Sequence, residues 1–226
     1  MNRIASVIAA LVLFPAISNA EGMALAGKLG ITTGYGVELI MGGDSLSGRV
    51  GYNKYNYNKT GTTNTMDFDF KLKLQSVSAL ADWYPFEGKF RISGGLYNNK
   101  SKIEMTAVPG AGATYTINGT PYAANTAVSS LQGRISFNPT APYLGIGWGN
   151  PVAKGKGWGM VSDIGVIFQG APKYTLTATC TAAFIASGNC ATLQTDVAAE
   201  QAKQQTDLNN SFKKWPVISI GLTYQW

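Results

Sequence analysis

Asp67, Asp69, Lys71 and Lys73 occupy every second position and alternate with Phe68, Phe70, Leu72 and Leu74. A period of two puts the two sets on opposite faces of a strand, so one face is a ladder of mixed charge. The same parity argument sets Glu38, Arg49, Arg91, Lys102, Glu104, Arg134 and Asp163 opposite the large apolar residues of their own segments. Such a mixture either pairs with itself or lines a narrow polar path. Catalysis has little to draw on, because the chain contains no histidine, the side chain that takes and returns a proton near neutral pH. Ser76, Ser78 and Ser93 lie near lysines, but no spacing singles one out as a nucleophile, and an enzyme is not expected. Cys180 and Cys190 are the only thiols. Two thiols without histidine leave a tetrahedral metal site half empty. In an exported chain the expectation is a disulfide, with no metal or other cofactor.

The elements that carry these residues read as strands throughout. Residues 28–41 alternate as one strand, with Leu29, Ile31, Tyr35, Val37 and Leu39 on one parity, and Gly42 to Ser45 form a tight turn. Residues 46–57 follow, with Leu46, Val50 and Tyr52 outward and Ser47, Arg49 and Asn53 inward; 58–65 read as a polar loop. The segment 66–84 is the longest signal, and so many charges beside exposed apolar residues suit a lumen better than a soluble core. Residues 90–107 return with a parity slip between Leu96 and Ile103, read as a bulge. In 108–130, a Gly, Ala and Thr loop, a small hairpin is expected around Tyr115 to Tyr122. The strand 131–148 is bent, or divided in two, at Pro139 and Pro142. Residues 158–170 and 214–226 complete the set. Within the longest connection, 171–213, residues 196–212 have helix-forming composition with a thin apolar stripe, which suits a helix capping a mouth or lying in solvent.

Apolar parity outside and polar parity inside, repeated over many short segments, is the pattern of a closed antiparallel transmembrane β-barrel. The short connections 42–45, 85–88 and 149–157 alternate with the long ones 58–65, 108–130 and 171–213, as periplasmic turns alternate with surface loops. Trp83, Trp148, Trp158 and Trp226 fall at the periplasmic ends, where an aromatic girdle belongs. Seven strands are evident, whereas both termini on one side require an even number. Eight are expected, the last supplied by 21–34, by a division near Asn138, or by the long loop.

Met1, Asn2 and Arg3 precede an apolar run from Ile4 to Ile17 and the small residues Ser18 to Ala20. This is the layout of a cleaved signal peptide covering residues 1–20, leaving 21–226 as a single barrel domain. The net charge is +6, but the cations are scattered along alternating strands rather than gathered with stacking aromatics, so nucleic acid is not an expected partner. Membrane lipid and lipopolysaccharide are.

Asp82 to Phe86 with Gly88, the run Ala141 to Gly147 and the ending Gly221 to Trp226 resemble small bacterial outer-membrane barrel proteins of the outer-membrane protein W and opacity-protein families. The likeness spans nearly all of 21–226, with Trp226 where those families usually end in Phe. It implies residence in the outer membrane and reading of the terminal aromatic by the barrel-assembly machinery. An eight-stranded barrel is just wide enough for side chains to fill it. The favoured reading is therefore a plugged interior with a structural or surface-interaction role. The alternative is a narrow channel, or the lateral exit for hydrophobic molecules that the protein W resemblance would allow.

Overall fold

A computed structural model describes residues 22–63, 66–109, 112–153, 155–211 and 213–226. The expected signal peptide lies outside the described residues. Thirteen strands and two helices follow in the order β1 (Gly22–Gly30), β2 (Gly34–Gly42), β3 (Leu46–Thr63), β4 (Met66–Trp83), β5 (Phe90–Asn99), β6 (Lys102–Pro109), β7 (Thr114–Ile117), β8 (Thr120–Ala123), β9 (Val128–Ser136), β10 (Thr140–Trp148), β11 (Gly157–Ile167), β12 (Lys173–Cys180), α1 (Ala182–Ala186), α2 (Cys190–Ser211) and β13 (Trp215–Gln225).

Antiparallel pairing runs β1–β2–β3–β4–β5–β10–β11–β13 and returns from β13 to β1, a ring of eight strands. A closed ring leaves no edge, which is the condition for strands to cross lipid. No described helix is long and apolar enough to cross a membrane. The outer wall is apolar, with Leu25, Leu29, Val37, Val77, Leu144, Met160, Ile164, Ile220 and Leu222 all exposed. Both chain ends of the ring lie on the side of the short connections 43–45, 84–89 and 149–156.

The eighth strand comes from the amino-terminal segment. Residues 28–41 are two strands, not one, reversing at 31–33 with Gly30 opposite Gly34. Gly34 has φ +83°, and a Cβ there would stand 2.7 Å from the Lys54 carbonyl oxygen, so only glycine fits this corner. The turn is short although it lies on the side of the long connections.

On that side the wall continues upward over part of its circumference. β3 and β4, of 18 residues each, pair along their full length to Thr63 and Met66, so the expected polar loop at 58–65 is mostly strand. β4 pairs with β5 below and β6 above. β6 pairs with β9, which pairs with β12. Each upper strand is the sequence neighbour of a lower one: β5 leads to β6, β9 to β10, and β11 to β12. The parity slip after Leu96 is thus a break at 100–101 rather than a bulge, and the proline-bearing segment 131–148 is two pieces. The upper sheet, the hairpin β7–β8 and the two helices form a head. Its core contains Tyr115, Ile117, Tyr122, Val128, Ala178, Leu193 and Val197, with Leu131 and Leu176 packed against it. None of these residues belongs to the two clusters inside the ring.

Candidate functional site

Inward positions of the ring alternate between large and very small residues, and the glycines make room for long side chains. A Cβ on Gly147 would lie 2.9 Å from Arg91 Nε, one on Gly165 2.4 Å from the Tyr143 hydroxyl, and one on Gly221 2.7 Å from Lys28 Cγ. Into this space project three cations and three carboxylates, each less than a tenth exposed: Lys28, Arg49, Arg91, Glu38, Asp82 and Asp163. Asp163 is the hub. Its Oδ2 accepts from Lys28 Nζ at 2.6 Å and its Oδ1 from Arg49 Nη2 at 2.9 Å and Arg91 Nη2 at 2.8 Å. Lys28 also donates to Glu38 Oε1 at 3.0 Å, and Arg49 Nη1 to Glu38 Oε2 at 3.2 Å. Arg49 Nε stands 2.8 Å from Asp82 Oδ2. Ser93 accepts from Arg49 at 3.1 Å and donates to Asp82 at 2.6 Å, and Arg91 also donates to the Gly149 carbonyl at 2.6 Å.

Six formal charges cancel across strands β1, β2, β3, β4, β5 and β11. Removing them from water is costly, and the balanced pairing with shared hydrogen bonds is what offsets that cost. The cluster is sealed on both sides. Toward the head lie Leu80, Ala141, Ile167, Val217 and the rings of Tyr97 and Tyr143, with centroids 5.4 Å apart. Toward the short turns lie Ala24, Ala26, Ile40 and Val152, the last brought in by the β10–β11 connection, with Tyr84 within 3.2 Å of the Ser47 hydroxyl. A cavity of about 20 Å³ remains at the mouth under the head, lined by Thr33, Ser76, Asn99, Gln169 and Trp215 among others; that is room for about one water.

The structure divides the expected lumen charges. Glu38, Arg49, Arg91 and Asp163 come together as described. Asp67, Asp69, Lys71, Lys73 and Arg134, with Lys102 and Glu104, do not enter the lumen. They lie above it, on the face of the head sheet that continues the outer wall. In β4 the buried parity is that of Leu74, Ser76, Ser78, Leu80 and Asp82, while Gln75 and Val77 face out. Carrying that phase upward turns the charged set outward. The physical reason is that the outer wall changes character near Gln75, apolar below it and charged above it. Beyond that level Lys73, Lys71, Asp69 and Asp67 hold the outward positions, and Phe68, Phe70 and Leu72 continue the inner face. Lys28 and Asp82 complete the cluster without having been singled out in the sequence. Trp83 at an outward girdle position was the available signal for Asp82, since its neighbour must point inward.

Trp83, Trp148, Trp158 and Trp226 are exposed at the short-turn end, with Trp148 edge-on to Phe90 at 5.8 Å and Trp158 edge-on to Tyr224 at 5.2 Å. Trp215, at the other end, instead packs against Phe137 at 5.6 Å and donates to the Thr32 carbonyl.

In the head, Cys180 and Cys190 are joined by a disulfide that ties the end of β12 to the start of α2. α2 runs from Cys190, earlier than its composition suggested, and lies along the free edge of β12. Gln205 and Gln201 accept from the backbone amides of Tyr174 and Leu176 at 2.8 and 2.9 Å, while Gln194 and Gln205 donate to the carbonyls of Ala178 and Pro172. The glutamines thus stand where a further strand would hydrogen-bond. Asp196 accepts from the Tyr122 hydroxyl and from Asn118 Nδ2, holding the hairpin to the helix. Burial, reinforced by this bond, pushes the Tyr122 phenol up to about 12, and the same bond lowers the Asp196 carboxyl. Among the described residues no cluster could hold a metal ion.

No protein-family model matches the chain, and no curated protein matches it. The fold has solved counterparts. CarO2 of Acinetobacter baumannii is similar with a TM-score of 0.58 and 19% identity over 92% of this chain and 100% of that one. CarO of the same organism gives 0.55 and 21% over 92% and 98%. A major outer membrane protein of Thermus thermophilus, at 0.41 and 10%, is too distant to carry an argument. At such identities the likeness is one of fold.

Proposed function

We propose that this chain is an integral outer-membrane barrel whose lumen does not conduct and whose role is to hold the head at the cell surface. The observation that carries this reading is the neutral six-charge cluster, closed above and below by apolar layers. An ion crossing it would have to break buried pairs whose partners have no water to turn to. The apolar outer wall and the band of exposed tryptophans at its short-turn end support residence in the outer membrane, and the fold shared with CarO2 and CarO is in keeping with it. The resemblance to the protein W and opacity families supports the same location and delivery by the barrel-assembly machinery. Lipid and lipopolysaccharide are the partners this placement implies.

The test is single-channel recording of the purified protein in a planar bilayer. Silence is expected. Steady conductance that changes in Arg49→Gln or Arg91→Gln would replace this reading with that of a narrow polar path.

A further inference from the structure

The charges that do not enter the lumen are sorted by height. On β4, reading away from the membrane, the outward residues are Val77, Gln75, Lys73, Lys71, Asp69 and Asp67: apolar, then neutral, then cationic, then anionic. Cross-strand pairing extends the cationic level sideways. Lys73 is opposite Lys102, Lys102 opposite Ser136, and Ser136 opposite Lys173. In the next row up, Lys71, Glu104, Arg134 and Thr175 are neighbours in the same way. Directly paired residues point to one side of a sheet, and strands stand about 4.8 Å apart, so five cations share a patch about 15 Å wide.

One carboxylate lies among them, and it is already engaged: Glu104 is 2.6 Å from Arg134 and 3.6 Å from Lys73. Among the described residues no carboxylate reaches Lys71, Lys102 or Lys173 within salt-bridge distance, and the Lys73 side chain is itself 44% exposed. Immediately below, the same wall presents Val77, Leu144, Ile164 and Phe168, all exposed. A cationic band just above an apolar wall faces the depth at which a lipid carries its phosphates.

We propose that Lys71, Lys73, Lys102, Arg134 and Lys173 form a binding site for the phosphates of an outer-leaflet glycolipid, the diphosphorylated lipid A anchor of lipopolysaccharide. This rests on the outer-membrane placement above and not on whether the lumen conducts. The acyl chains lie against the apolar wall, the flexible lysines reach the phosphates from the sheet, and Arg134 offers a planar fork to phosphate oxygens. Asp69 and Asp67 stand farther out, away from the phosphate level.

The test uses the full-length protein in detergent micelles, titrated with diphosphoryl lipid A and with lipid A stripped of both phosphates, binding being read by native mass spectrometry. The expected result is a preference of roughly tenfold or more for the phosphorylated lipid, lost in the Lys73→Gln, Lys102→Gln, Lys173→Gln triple variant and kept when the three become arginine. Heat-modifiable migration confirms that each variant is folded. A Lys59→Gln, Lys203→Gln control, away from this face, keeps wild-type binding. Equal binding of the stripped lipid, an unaffected triple variant, or equal loss in the control would each overturn the proposal. Conductance in the bilayer alongside a positive lipid result would remove only the sealed-lumen reading, and cytosolic fractionation of the processed protein would remove the membrane placement instead.

Discussion

Asp163 shows how unequally charge is valued at different places on one molecule. It receives three cations inside the ring, so Asp163→Asn would leave Lys28, Arg49 and Arg91 facing two carboxylates with no water to screen them. The expected cost is about 3–5 kcal/mol, measured by urea unfolding in detergent through tryptophan fluorescence. Lys73→Gln, which removes an exposed partner of Glu104 at 3.6 Å, should change stability by less than about 1 kcal/mol. A similar loss for both would refute the distinction between the two environments. Sequence parity identified Glu38, Arg49, Arg91 and Asp163 as inward residues because each lies on a strand whose apolar parity is unambiguous. It misplaced Asp67 to Lys73, because the change from apolar to charged residues on the outer wall leaves the alternation intact while exchanging what each face means.

At the scale of elements, the glutamines of α2 serve a strand rather than a partner helix. Gln201 and Gln205 cover two backbone amides of β12. Gln201→Ala with Gln205→Ala should therefore cost about 1 kcal/mol per lost bond and speed amide exchange at Tyr174 and Leu176, with self-association through the bared edge. Unchanged exchange at those two amides would show that water replaces the side chains without loss. The helix was legible from residue 196 onward by composition, but its task was not, since glutamines at 194, 201 and 205 read as solvated surface. The division of 28–41 was hidden for a geometric reason. A reversal over 31–33 sets Leu29 opposite Tyr35, so both point outward and the alternation passes through the turn unbroken. The hairpin β7–β8, by contrast, was visible around Tyr115 to Tyr122.

Over the whole molecule, ring and head are separately packed bodies joined through the long strands. The ring pairings involve none of β6, β7, β8, β9, β12 or the helices. Joining Asn99 to Thr140 and Ile167 to Trp215 by short turns, with β3 and β4 cut back to Lys54 and Gln75, should leave a barrel that folds into lipid and keeps heat-modifiable migration in gels. Failure to obtain any folded species would mean that the head is part of the ring's own folding unit. The eight-strand ring was legible because alternation and turn lengths are local signals. The head was not, because its sheet is assembled from pieces distant in sequence that each read as loop or strand end.

Five of the eight ring strands have continuations into the head, while β1, β2 and β13 stop at the mouth. The rim is therefore a parapet on one flank and a low sill on the other, and the molecule has a front and a back. Thr32 and Trp215, whose indole donates to the Thr32 carbonyl, mark the low side.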